Sequence, residues 1–104
     1  MVQTLDAAQL KTLLESDERP RLIDVRTAGE FARGTIAGAQ HIELGTLPAN
    51  VEALDPRAPV VLVCQSGGRS AQGCALLDQR GFQRVYNLGG GIGGWARAGL
   101  PIVN

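Results

Sequence analysis

The sequence predicts an α/β fold: a central, mostly parallel sheet with helices on both faces. Three observations carry this. Short apolar runs alternate along the chain with segments of helical periodicity. The run Val60-Val61-Leu62-Val63 is continuously apolar, as a strand covered on both faces must be. Glycines stand where helices should stop, at Gly81 and Gly99. The 104 residues fit one domain, 1–104, and no internal repeat or low-complexity linker divides them.

The elements follow in order. Asp6 and Gln9 form a helix start, and Leu10, Leu13 and Leu14 recur on one face of a helix that ends before Asp17. Arg19-Pro20 breaks the chain before a buried strand at 22–25. Thr27 and Glu30 make a Thr-x-x-Glu capping box opening a short helix that carries Phe31. Gly34 and Gly38 bracket a tight loop, and His41-Ile42 is a short strand. Pro48 suits the first turn of a helix running to about Leu54, because a missing N–H costs nothing there. Pro59 leads into the strand at 60–63. A helix at 70–80, a strand at 84–87 and a short helix carrying Trp95 complete the chain.

Composition excludes several classes of function. Lys plus Arg number 10 and Asp plus Glu number 10, so the net charge is zero and nothing draws the chain to nucleic acid or a membrane surface. No basic segment followed by an apolar stretch opens the sequence, and no apolar run approaches a membrane span. Two cysteines make no disulfide framework. The expectation is a soluble, cytoplasmic monomer.

Chemistry concentrates where the central strand ends. Cys64 closes that strand, and Gln65, Ser66, Gly67, Gly68, Arg69 and Ser70 lead into the next helix. In open parallel sheets, ligands bind outside the carboxyl ends of strands. The glycines let the backbone turn and aim several N–H groups inward. Those amides, the helix N-terminus and Arg69 all favour a thiolate, so the Cys64 thiol should be more acidic than a free one. The same cradle suits an anionic substrate or intermediate, making Cys64 a nucleophile without a separate general base. Cys74 lies one turn into the helix with Leu77 at i+3 and reads as core. The two do not form Cys-x-x-Cys, which argues against a thioredoxin-like pair.

These residues carry a resemblance to single-domain rhodaneses, the thiosulfate sulfurtransferases. The block Leu22-Ile23-Asp24-Val25-Arg26, Glu30-Phe31, Gly34-x-Ile36, Gly38-Ala39 resembles the family's opening motif. Cys64-x-x-Gly67-x-Arg69-Ser70 resembles its active-site loop, and Leu88-x-Gly90 with Trp95 its C-terminal signature. Thr35 departs from the pattern, standing where members often have His. The resemblance implies that Cys64 takes the outer sulfur of thiosulfate or a similar donor as a persulfide held by the loop amides. Cyanide, a thiol or a protein then accepts the sulfur, with no metal and no organic cofactor.

Rival readings are weaker. Phosphatases of the same fold place Arg six positions after Cys, whereas Arg69 is five after Cys64, so phosphatase or arsenate reductase activity ranks behind sulfur transfer. A persulfide carrier or protein-interaction module is a further alternative. Gly89 to Gly94 contains Gly-x-Gly-x-x-Gly, but too few residues follow for a dinucleotide-binding unit. These glycines are expected to lie close against the catalytic loop. Asp24 and Arg26 share the sheet edge with Cys64, either as a structural ion pair or as residues orienting the loop. Arg69 is expected to stabilise the thiolate or a bound anion. His41, the lone histidine, is expected in a loop or at the surface, without a metal, and Trp95 as a core plug.

Overall fold

The structure, a computed structural model, describes residues 1–104. Five strands form one sheet: β1 (Val2–Leu5), β2 (Arg21–Asp24), β3 (Gln40–His41), β4 (Val60–Val63) and β5 (Val85–Leu88). Their spatial order is β1-β5-β4-β2-β3, and every pairing is parallel. The helices are α1 (Ala7–Glu15), α2 (Ala28–Ala32), α3 (Leu47–Asn50), α4 (Gly68–Gln79) and α5 (Gly91–Arg97).

The expected layering is present, and side-chain alternation along the strands produces it. On β4, Val60 and Leu62 point into a core shared with Leu47 of α3 and Cys74 and Leu77 of α4. Val61 and Val63 point the other way, toward Leu10 of α1 and Ile92 and Trp95 of α5. All four β4 side chains are buried, which is why the run is apolar throughout.

Both capping motifs form. Asp6 accepts from the Gln9 N–H at 2.8 Å while Gln9 Oε1 accepts from the Asp6 N–H at 2.9 Å. Thr27 and Glu30 make the same reciprocal pair on α2. Several boundaries differ from expectation. β1 was not anticipated: its residues are largely exposed, and pairing with β5 alone makes it a strand. The segment after Pro48 is mixed, with α3 flanked by 3₁₀ turns at Leu44–Thr46 and Val51–Ala53. α4 begins at Gly68, two residues early, because Gly67 with φ 106° turns the chain straight into the helix. β3 and β5 are each displaced by one residue from the expected spans.

The chain leaves β2 toward β3 and leaves β4 toward β5, so the connections diverge between β2 and β4. A crevice opens at the carboxyl ends of such a strand pair. Asp24 ends β2 and Cys64 follows β4 at this point.

Candidate active site

Cys64 is 1% exposed, and its sulfur faces the turn into α4. The Gly67 N–H donates to Sγ at 3.0 Å, and the Ser70 hydroxyl lies 3.3 Å from it. Burial pushes the thiol up. Hydrogen bonding from the Ser70 hydroxyl and from the amides of Ser70, Gly67 and Ser66 outweighs burial, and the net acidity is greater than that of an ordinary thiol. Cys74 shows the opposite balance. It is buried in the core, its Sγ reaches only the Tyr86 carbonyl at 3.4 Å, and burial, helped by nearby Cys64, pushes it up to about 12.

The loop's back wall comes from the glycine run. The Ile92 N–H donates to the Cys64 carbonyl at 2.8 Å and the Gly93 N–H to the Gln65 carbonyl at 3.1 Å. Gly91, with φ 61°, allows this approach, because a Cβ there would meet both carbonyl oxygens at 2.5 Å or less. The expected close approach of this segment is therefore present, and it clamps the backbone of the Cys64 loop.

Asp24 and Arg26 pair with each other and also reach the loop. They form a buried ion pair, Nη2 to Oδ2 at 2.8 Å, with Nε and the Arg26 N–H also donating to the carboxylate. Arg26 then donates to the Gly34 carbonyl at 2.6 Å and to Gln65 Oε1 at 3.2 Å, tying the pair to the loop. Thr35 donates to Asp24 Oδ2 at 2.8 Å, so the residue that departs from the family pattern completes the carboxylate's shell. His41 is half-buried rather than free at the surface: it stacks on Phe31 and places Nε2 2.7 Å from the Arg26 carbonyl.

Arg69 lies close enough to Cys64 for their charges to interact, but its hydrogen bonds go elsewhere. Its guanidinium makes a bidentate pair with Glu30, at 2.7 and 2.9 Å, and donates no hydrogen bond to the Cys64 sulfur. This pairing pulls the Glu30 carboxyl down to about 2 and raises Arg69. Glu30 stood out in the sequence as a capping residue and as part of a motif, but not as a partner of Arg69, since nothing local signals a partner 39 positions away. Asn87 was also missed. It is 8% exposed at the end of β5, with Oδ1 toward the Ser70 hydroxyl and Nδ2 donating to the Gly67 carbonyl at 3.2 Å. A buried polar residue inside an apolar strand was the available signal.

Beside the loop lies a cavity of about 420 Å³ lined by Arg26, Glu30, Arg33, Gly34, Gln65, Ile92 and Ile102. Of its charged side chains, Arg26 is paired with Asp24 and Glu30 with Arg69, which leaves Arg33 as the cation that can favour an anion. A smaller apolar groove of about 280 Å³, against Trp95 and Leu100, contains no nucleophile.

The profile of the Rhodanese-like domain matches residues 6–98. The chain belongs to the rhodanese-like family. It is 43% identical to a sulfurtransferase of Allochromatium vinosum over 103 residues, covering 99% of this chain and 96% of that one. It is 34% identical to the thiosulfate sulfurtransferase GlpE of Pseudomonas aeruginosa, over 89% of this chain and 83% of that protein. Among solved structures, a rhodanese-related protein from Thermoplasma volcanium superposes with a TM-score of 0.87 at 29% identity, covering 97% of each chain. Relatives of this rhodanese-like chain are thus sulfurtransferases by name, and a rhodanese-related protein of solved structure shares the fold described above.

Proposed function

We propose that this rhodanese-like protein transfers sulfane sulfur through a persulfide on Cys64. One observation carries the reading: the single acidified thiol of the chain closes the central strand and faces a ring of hydrogen-bond donors. In the forward step the Cys64 thiolate attacks the outer sulfur of thiosulfate. A sulfur–sulfur bond forms at Cys64, the bond within thiosulfate breaks, and its electron pair leaves with sulfite. The negative charge now sits on the outer persulfide sulfur, where the loop amides can receive it. A cyanide or thiolate acceptor then takes that sulfur and returns Cys64 as a thiolate. The charges balance in both steps, so neither metal nor redox cofactor is required.

Thiosulfate is the proposed donor because Arg33 beside the loop suits a small anion and because GlpE relatives carry that substrate in their name. The acceptor is a small thiol, cyanide or a protein thiol. The short spacing from Cys64 to Arg69, and the commitment of Arg69 to Glu30, withhold the loop's own guanidinium from a phosphoryl group.

The test is intact-mass spectrometry after mixing with thiosulfate. The expected result is one added sulfur atom on Cys64, removed by cyanide with release of thiocyanate. A protein whose mass does not change on addition of excess thiosulfate or an organic polysulfide would overturn the reading.

A further inference from the structure

The hydroxyl of Ser70 has one hydrogen and three acceptors within reach. They are Cys64 Sγ at 3.3 Å, the Gly67 carbonyl at 3.2 Å and Asn87 Oδ1 at 2.5 Å. The orientation of the Asn87 amide is fixed by Gly67, whose carbonyl can accept only from the Nδ2 side. Oδ1 therefore faces Ser70, and Ser70 is its only hydrogen-bond donor. Ser70 is fully buried and Asn87 nearly so, which leaves little room for solvent to substitute for the hydroxyl.

We propose that Asn87 is a positioning residue that holds the Ser70 hydrogen while Cys64 is a thiol and yields it to the sulfur when Cys64 ionises. In the thiol state the three groups form a satisfied chain: the Cys64 S–H faces the Ser70 oxygen, and the Ser70 O–H donates to Asn87. Ionisation sends the thiol proton to solvent. The Ser70 hydrogen stays on its oxygen and turns to the thiolate, the stronger acceptor, leaving Oδ1 buried and unpaired. Once sulfur transfer moves the charge to the outer persulfide atom, the hydroxyl turns back to Asn87. The last step rests on the persulfide reading; the competition for one hydrogen does not.

The competition makes Cys64 less acidic than Ser70 and the amides alone would make it. Nucleophilicity falls as a thiol becomes more acidic, and the best attacking thiol titrates near ambient pH. Asn87 thus restrains a thiolate that the loop would otherwise overstabilise. It also grips the Gly67 carbonyl, so the same side chain fixes the peptide beside the Gly67 donor to the sulfur.

The charged and titratable groups around Cys64 are Arg69 and Cys74 on α4, Glu30 on α2, Asp24 with Arg26 at the end of β2, and Arg97 on α5, which lies against Gly93 and Gly94. None is changed in the variants below, and Cys74 stays protonated far above the range of the measurement.

The experiment follows iodoacetamide alkylation of Cys64 against pH in the unmodified protein, Asn87→Leu, Ser70→Ala and the double variant. Asn87→Leu should shift the midpoint down, alkylating about three- to tenfold faster at a pH below the original midpoint, the worth of one hydrogen bond. Ser70→Ala should shift it up, and Asn87→Leu should lower it clearly less in that background. A midpoint unmoved or raised by Asn87→Leu, or an equal shift in both backgrounds, would overturn the proposal. Should Asn87→Leu fail to fold, NMR of the unmodified protein decides: the Asn87 side-chain amide should titrate with the Cys64 midpoint, and a flat response would overturn it. Because alkylation needs no sulfur donor, this readout stands apart from the persulfide test.

Discussion

The Cys64 carbonyl and Gly91 touch so closely that a single added carbon would not fit: a Cβ on Gly91 would lie 2.5 Å from the Cys64 oxygen. Cys64 is therefore held from two sides, by donors at the start of α4 at its sulfur and by α5 amides at its backbone.

Gly91→Ala should accordingly damage the site as well as the fold. With φ 61° and two carbonyls in the way, the variant should lose at least about 2 kcal/mol of stability in denaturant titration. Sulfur transfer should fall at least about tenfold, one such factor corresponding to roughly 1.4 kcal/mol on the barrier. Gly29→Ala is the comparison, since Gly29 has open space around it and should gain a few tenths of a kcal/mol, ~0.5, from helix propensity.

The two cysteines should separate cleanly. Cys64→Ser should abolish sulfur transfer while unfolding at nearly the same denaturant concentration, because oxygen is close to sulfur in size. Cys74→Ser should keep its activity and lose about 1–2 kcal/mol, the cost of placing a hydroxyl where the core has a thiol. Turnover by the Cys64 variant comparable with the parent would remove Cys64 from the mechanism.

Acid should selectively weaken the bond between α2 and the loop. The Glu30 carboxyl sits at about 2, below its ordinary value, because Arg69 favours its charged form. A depressed carboxyl contributes stability that is present above the ordinary carboxylate range and is lost as pH falls through the folded value. Glu30→Gln keeps the capping geometry but removes the charge. Its melting temperature should lie below the parent's near neutral pH and converge with it as pH approaches about 2. The gap should correspond to less than about 1 kcal/mol, since Arg69 is 38% exposed and solvent screens the pair. A gap that is constant with pH would show that the ion pair is not its source.

Much of this architecture was legible locally. The capping boxes at Asp6 and Thr27 are satisfied by residues three positions away, so the sequence displays both halves of each interaction. The apolar run of β4 and the loop after Cys64 are equally local. What escaped was made by distant partners. β1 exists because β5 presents an unpaired edge to Val2–Leu5, residues whose own pattern is mostly exposed. The hydrogen-bond partner of Arg69 escaped too, because Glu30 offers it two carboxylate oxygens in good geometry from 39 positions away. Asn87 gained its role only when β5 paired beside β4, in register with Leu62.

Loop length provides a last test. The unmodified protein should transfer sulfur and show no measurable hydrolysis of a chromogenic aryl phosphate. One glycine inserted between Gly67 and Gly68 should displace Ser70 and the first amides of α4 from the sulfur, and persulfide formation should drop at least about tenfold. Aryl phosphate turnover by the unmodified protein, matching its sulfur transfer, would contradict the assignment of substrate class.

The protonated, buried state of Cys74 bears on how long a sulfur would stay on Cys64 in the proposed reaction. A persulfide is discharged by a thiolate, and the only other thiol in this chain stays protonated until about pH 12. On the persulfide reading, the domain therefore lacks an internal clock. Its loaded form should outlast buffer exchange and wait for an outside thiol, so discharge would follow the concentration of acceptor and report on how much of it the surroundings contain.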